Sequence, residues 1–231
     1  MINNQLIYVT DPLCLWCYGI APDLDAFFDS LPDDLESITI NGGLFPGAEA
    51  KLADKNFQNY LKNAAEQVTE RTGQIFSESF WELLASDNFY YDTEPAARAS
   101  VVVKELAGDN KMRSFIHKLQ KAVFVDGHNP NLEDTLSELA HSCGVDKAEF
   151  LEKYRSDSSL EMTRGEYALA KTMNVRGFPA LIYAGEGKGF QIAAGYATLK
   201  DLTQAFDYAR EQCGQPILND SAAVCGMNGC Q

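Results

Sequence analysis

Two cysteines three residues apart, Cys14 and Cys17, are the side chains of this chain best suited to chemistry. They stand in Cys14-Leu15-Trp16-Cys17, directly after the strand-like run Leu6-Ile7-Tyr8-Val9-Thr10 and at the opening of a helical pattern. Residues i and i+3 of a helix share one face, with Cβ atoms roughly 5–6 Å apart. A small adjustment brings them to the roughly 3.8 Å of a disulfide, so the pair can open and close without refolding the chain. First-turn N–H groups stabilise negative charge, and the outer thiol, Cys14, is therefore expected to ionise more easily than a free cysteine. That is thiol–disulfide exchange chemistry. The same spacing is half of a zinc site, but further ligands would have to come from distant residues, and redox pairs are the ones that open helices.

Other residues bear on the pair. In Val175-Arg176-Gly177-Phe178-Pro179 a proline opens a strand signal after a glycine. It is a candidate cis peptide, since the cis form of an X-Pro bond costs only ~0.5–1 kcal/mol; the alternative is a trans proline at a strand start. Trp16 and Tyr18 either form an apolar platform for peptide side chains or pack internally. Asp11 either accepts a proton from Cys17 or caps a turn with Pro12. In Cys225-Gly226-Met227-Asn228-Gly229-Cys230 the two glycines ease loop closure, so an internal disulfide is sterically feasible; incidental thiols and metal binding are the other readings. Cys143 and Cys213 each end a helical pattern and read as structural. His117, His128 and His141 have no metal-ligand spacing, and no metal site is expected. The carboxylates scattered along the helices read as solvated faces.

These residues need a scaffold. Among 231 residues, 45% hydrophobic content supplies an ample core, and 33 acidic against 19 basic residues give a net charge of −14. Without clustered Lys and Arg, nucleic acid and anionic membranes are disfavoured as partners. The N-terminus lacks the pattern of a signal peptide, and no run approaches the ~20 apolar residues of a membrane helix. A cytoplasmic protein is expected, and there close cysteine pairs are more often redox-active or metal-binding than a disulfide scaffold.

The first strand, a helix that Pro22 kinks or restarts, and the alternating run Ser37–Asn41 form a β-α-β unit with parallel strands. From about Lys51 to Asn174 no strand pattern is found. Helical patterns run through 51–71, 94–107, 110–124, 131–143, 146–154 and 159–173, with Pro95 at a helix start and Gly108, Gly127 and Gly144 as stops. Ala180–Tyr183 and Phe190–Ala193 then flank a glycine-rich hairpin turn, Gly185–Gly189, which lacks a phosphate-loop arrangement. A closing helix spans about Thr198–Gln212. The expected fold class is α/β: a mixed sheet of about four strands with helices on its faces and a large all-helical insertion near Cys14. Residues 1–50 and 175–213 would form the sheet domain, 51–174 the insertion, and 214–231 an irregular tail.

With Cys14–Cys17 at a strand-to-helix turn and Phe178-Pro179 before a β-β-α unit, the chain resembles the thioredoxin superfamily, and more closely its DsbA-like branch with a helical insertion. Asp11-Pro12-Leu13-Cys14-Leu15-Trp16-Cys17-Tyr18-Gly19 resembles the FrnE-like group of DsbA-family oxidoreductases. The resemblance implies that Cys14 is the attacking thiol, Cys17 the resolving thiol and Pro179 a cis-proline facing the disulfide. It further implies that Phe178 offers its backbone to an extended peptide and that Cys225 and Cys230 form an accessory redox pair. The implied partners are protein or peptide thiols and disulfides, with glutathione among the small thiols, and no cofactor. A strongly oxidising DsbA carries Pro-His between its cysteines. Leu15-Trp16 supplies no such cation, which points to reduction or isomerisation. A glutathione-dependent transferase or isomerase of the kappa or hydroxychromene-carboxylate isomerase type shares this layout, but relatives of that kind usually carry Ser at the first position. A non-catalytic adaptor is the third reading.

Overall fold

The computed structural model describes residues 4–215 and Leu218. Cys225 and Cys230 lie outside the described residues, and with them the reading of an accessory pair. Strand β1 (Gln5–Thr10) leads into helix α1 (Leu15–Asp29) and strand β2 (Glu36–Asn41). A short strand β3 (Lys51–Leu52) and helices α2 (Lys55–Thr72) and α3 (Glu78–Leu84) precede strand β4 (Tyr90–Tyr91). Helices α4 (Glu94–Ala107), α5 (Asp109–Phe124), α6 (Glu133–Ser142), α7 (Lys147–Arg155) and α8 (Asp157–Thr172) follow. The chain then forms strands β5 (Ala180–Gly185) and β6 (Lys188–Ala194) and closes with α9 (Leu199–Glu211).

The expected four-stranded mixed sheet is present, in the order β2-β1-β5-β6. β1 pairs with β2 in parallel and with β5 antiparallel, and β5 pairs antiparallel with β6. Every residue of the central β1 is buried, as a strand covered on both faces must be. Leu6 and Tyr8 face Ile20, Leu24 and Phe27 of α1 and Phe206 of α9. Ile7 and Val9 face the other way, toward Ala170 of α8. A third and largest cluster fills the helical block and takes in Leu13, Leu15 and Tyr18 from the thiol turn. The first turn of α1 is thus clasped between the block and the sheet.

The block also closes the open edge of β2. Lys104 Nζ donates to the Thr39 carbonyl at 2.6 Å, and the Asn41 N–H donates to Glu166 Oε2 at 2.8 Å. These occupy main-chain groups that would otherwise be free to pair with another strand.

Four details differ from expectation. The stretch read as strandless contains the β3–β4 ribbon, whose two-residue strands are too short to show a period. Helix α3 escaped notice because its seven residues cover only two turns; its start is set by the Ser77 hydroxyl, which accepts from Phe80 N. Helix α1 runs through Pro22 without restarting, so the missing N–H is tolerated within fifteen residues held on two sides. The hairpin strands also reach further into the glycine-rich segment, turning on Glu186 and Gly187, at φ 51° and 74°. Positive φ at both central residues is the two-residue turn that matches strand twist.

Candidate active site

Strand β1 ends at Thr10, and the next four residues swing the chain into α1. Asp11 makes that turn: its Oδ1 accepts from Leu13 N at 3.0 Å, and its carbonyl accepts from Cys14 N at 3.0 Å. Its other oxygen, Oδ2, accepts from Leu44 N at 2.8 Å, which ties the turn to the segment after β2. Asp11 is therefore the turn-capping residue. Burial pushes its carboxyl from the ordinary 3.8 up to about 6, against the pull of the Leu44 and Leu13 N–H groups.

Cys14 caps α1 in an extended conformation, and its Sγ accepts from Cys17 N at 3.3 Å. The thiols of Cys14 and Cys17 are free rather than joined, with the residues 5% and 1% exposed. Across from them the Phe178-Pro179 peptide is cis. The Cys14 thiol donates to the Phe178 carbonyl at 3.5 Å, across 164 positions of sequence. The structure thus brings Cys14, Cys17, Phe178 and Pro179 into one place.

Burial works against the expected easy ionisation of Cys14. Burial pushes its thiol well above the ordinary range, the Cys17 thiol adds to the rise, and the Cys17 N–H opposes it. A helix N-terminus contributes ~0.3–1 kcal/mol, less than one pKa unit at 1.36 kcal/mol each, whereas full burial can shift a group by about 3–5 units. Among the described residues no cation is placed against the sulfur to offset the burial.

Trp16 and Tyr18 are placed differently. Tyr18 is buried, with its ring 5.5 Å from Phe76 and 5.2 Å from Phe124 and its hydroxyl donating to the Ile75 carbonyl at 3.4 Å. It packs, and is not a free platform. Trp16 is half-buried, 6.3 Å from the Tyr196 ring, with the Arg71 guanidinium 5.8 Å from its centroid. Beyond Phe178 lies an open groove of ≈ 590 Å³ lined by Asn174, Arg176, Gly177, Gln191 and Gly195 among others.

Sequence reading missed the residues that hold this site. The Tyr91 hydroxyl donates to the buried Leu13 carbonyl at 2.5 Å, one residue before Cys14. Gly42 lies hard against the Phe178 ring: a Cβ there would fall 1.8 Å from Phe178 Cε1. The carboxylates of Asp109 and Glu166 are not solvated faces. Glu166 meets Lys104 at 3.1 Å, Lys104 meets Asp109 at 3.4 Å, and Asp109 meets Arg113 at 3.0 Å. Only the glycine carried a signal, in the Gly42-Gly43 pair that ends β2.

Cys143 and Cys213 are buried away from the turn, the latter donating to the Gly185 carbonyl at 3.3 Å. Among the described residues no group of three or more His, Cys, Asp or Glu is placed to hold a metal ion, and no helix is long and apolar enough to cross a membrane.

Comparison with known proteins agrees with this layout. A family model described as Thioredoxin matches residues 8–200. The structure is similar to a candidate protein disulfide isomerase from Nitrosomonas europaea, with a TM-score of 0.81 and 26% identity, covering 91% of this chain and 99% of that one. It is also similar to the cytosolic disulfide reductase DsbM from Pseudomonas aeruginosa, with a TM-score of 0.71 and 24% identity, over 90% and 98% of the two chains. That reductase has also been solved with GSH. In sequence the chain is 23% identical over 203 residues to the ClpXP adapter protein SpxH of Bacillus subtilis. That alignment takes in 84% of this chain and 63% of SpxH, so the chain spans less than two thirds of that relative's length. A family match over most of the chain, a mixed sheet interrupted by a helical block, and a thiol pair at the first strand-to-helix turn converge: the fold is that of the DsbA-like structures, and the chain belongs to the thioredoxin superfamily.

Proposed function

We propose that this chain is a cytoplasmic thiol–disulfide oxidoreductase that reduces or isomerises disulfides of proteins and peptides through Cys14 and Cys17. The observation that carries the reading is the free Cys14 thiol at the α1 N-terminus, aimed at the carbonyl of Phe178 beside Pro179. An extended peptide pairs with the Phe178 backbone, Trp16 offers the apolar contact beside it, and the 51–174 unit acts as the insertion that flanks the thiol turn.

The Cys14 thiol first gives up its proton to water, and the sulfur, as thiolate, attacks one sulfur of the substrate disulfide. The substrate S–S bond breaks, a mixed disulfide forms, and the other substrate sulfur leaves as a thiolate. Cys17 then attacks Cys14, releasing the second substrate thiol and closing Cys14–Cys17. The substrate gains two electrons and the protein loses two, which two molecules of a small thiol such as glutathione restore by leaving as their own disulfide. For isomerisation, the released substrate thiolate attacks another disulfide before Cys17 acts. A buried Cys14 without a cationic partner leaves the reduced form without thiolate stabilisation, in line with a reducing direction. The accessory role of Cys225 and Cys230 is part of this proposal, as a pair that exchanges with Cys14–Cys17.

Reduction of insulin tests the reading: Cys14→Ser is expected to lower turnover by at least about a hundredfold, and a variant as active as the parent refutes it. The likeness to SpxH favours a second reading, a non-catalytic adaptor. In that case the parent protein reduces no insulin, while Cys14→Ser leaves binding to a protease partner unchanged.

A further inference from the structure

We propose that Glu166 is a positioning residue for the thiol site, acting through the turn Asn41–Leu44 that touches both halves of it. The inference rests on the oxidoreductase reading for its meaning but not for its test. Glu166 Oε2 accepts from both Asn41 N and Asn41 Nδ2 at 2.8 Å, and the Asn41 amide also donates to Ser100 Oγ at 3.0 Å. Its Oε1 accepts from Lys104 Nζ at 3.1 Å, and Lys104 is in turn faced by Asp109. The carboxylate thus joins α8 and α4 to the last residue of β2.

From Asn41 the ties run in two directions. Gly42 lies against the Phe178 ring so closely that a Cβ would need that ring's place. Leu44 N donates to Asp11 Oδ2, and Asp11 Oδ1 accepts from Leu13 N beside Cys14. Between them Gly43, at φ 74°, approaches the Tyr167 ring, with carbons 3.0 Å from a built Cβ. Glu166 and Tyr167 of α8 therefore brace one four-residue turn that supports the acceptor of the Cys14 thiol on one side and the Cys14 loop on the other. Neither Glu166 nor the turn Asn41–Leu44 is near Cys14 in sequence.

Glu166→Asp tests the link, because it keeps a carboxylate for Lys104 while drawing it back from Asn41. A looser turn lets the Phe178 carbonyl leave the Cys14 thiol and opens the sulfur to water. Both changes favour the thiolate, so alkylation of Cys14 at pH 7, read at that residue by mass spectrometry, is expected to quicken about threefold to tenfold. Its pH profile should move to lower pH. Glu133→Asp, in an exposed ion pair with Arg155, serves as the control and should leave both unchanged. If Glu166→Asp lowers the melting temperature but leaves the Cys14 rate and pH profile at the parent's values, Glu166 is structural only and the proposal is overturned. Should that variant not fold, Asn41→Ser with the same readout decides the matter in the same way. Alkylation needs no disulfide substrate, so a failed insulin assay would refute the enzymatic reading and leave this test standing.

Discussion

On the sheet side of the thiol turn, α1 is held by apolar packing: Ile20, Leu24 and Phe27 lie against Leu6, Tyr8 and Phe206. On the other side Leu13, Leu15 and Tyr18 pack into the block, and two directed hydrogen bonds fix the thiol loop: Tyr91 of the block to the Leu13 carbonyl, and Leu44, from the segment after β2, to Asp11. Burial of apolar area is non-directional and sets where the helix lies. A hydrogen bond to a buried main-chain atom fixes one atom within tenths of an ångström. The difference assigns the seat of α1 chiefly to apolar packing and the fine placement of the loop before Cys14 chiefly to directed contacts.

Substitutions on the two sides should therefore behave differently. Phe27→Ala, which empties a fully buried ring 5.5 Å from Phe206, is expected to cost about 3–5 kcal/mol of stability by denaturant unfolding. Cys14 alkylation under native conditions should hardly change. A large change in Cys14 reactivity would break the division of labour.

Asp11 lies where the two sides meet, and its signature is pH dependence. Its folded-state pKa of about 6 exceeds the ordinary 3.8, so between those values the folded protein binds more protons than the unfolded chain. Stability is then greatest below pH 4 with respect to this group and falls as pH rises to 6, by about 3 kcal/mol. Unfolding curves of Asp11→Asn across pH 4–6 should lack this fall relative to the parent. Identical slopes would show that the carboxyl is not held at a raised pKa.

Tyr91→Phe strikes the block side alone. Leaving the Leu13 carbonyl unpaired should cost about 1–3 kcal/mol, less than Phe27→Ala, yet it should alter the alkylation rate of Cys14 more. Unchanged reactivity would place the control of Cys14 elsewhere.

The same division explains what the sequence revealed. Apolar periodicity is a property of layers, so β1, β2, the β5–β6 hairpin and the long helices were readable from alternation and helical spacing. Directed contacts carry no period. Glu166 and Asp109 look like any other helical carboxylates until folding places Asn41, Lys104 and Arg113 beside them, and Tyr91 sits in a two-residue strand that no pattern marks. Cys14, Cys17, Phe178 and Pro179 were found because their chemistry is encoded in residue type. Helix position at Cys14 is local and legible, whereas its burial depends on Phe178 from the far end of the chain and on the surrounding block.

The most direct measurement is the reduction potential of Cys14–Cys17, equilibrated against glutathione buffers. A buried thiol with no cationic partner predicts a value nearer the reducing thioredoxin, at about −270 mV, than the oxidising DsbA, at about −120 mV. A potential as oxidising as that of DsbA would require a stabilised Cys14 thiolate and would contradict the account.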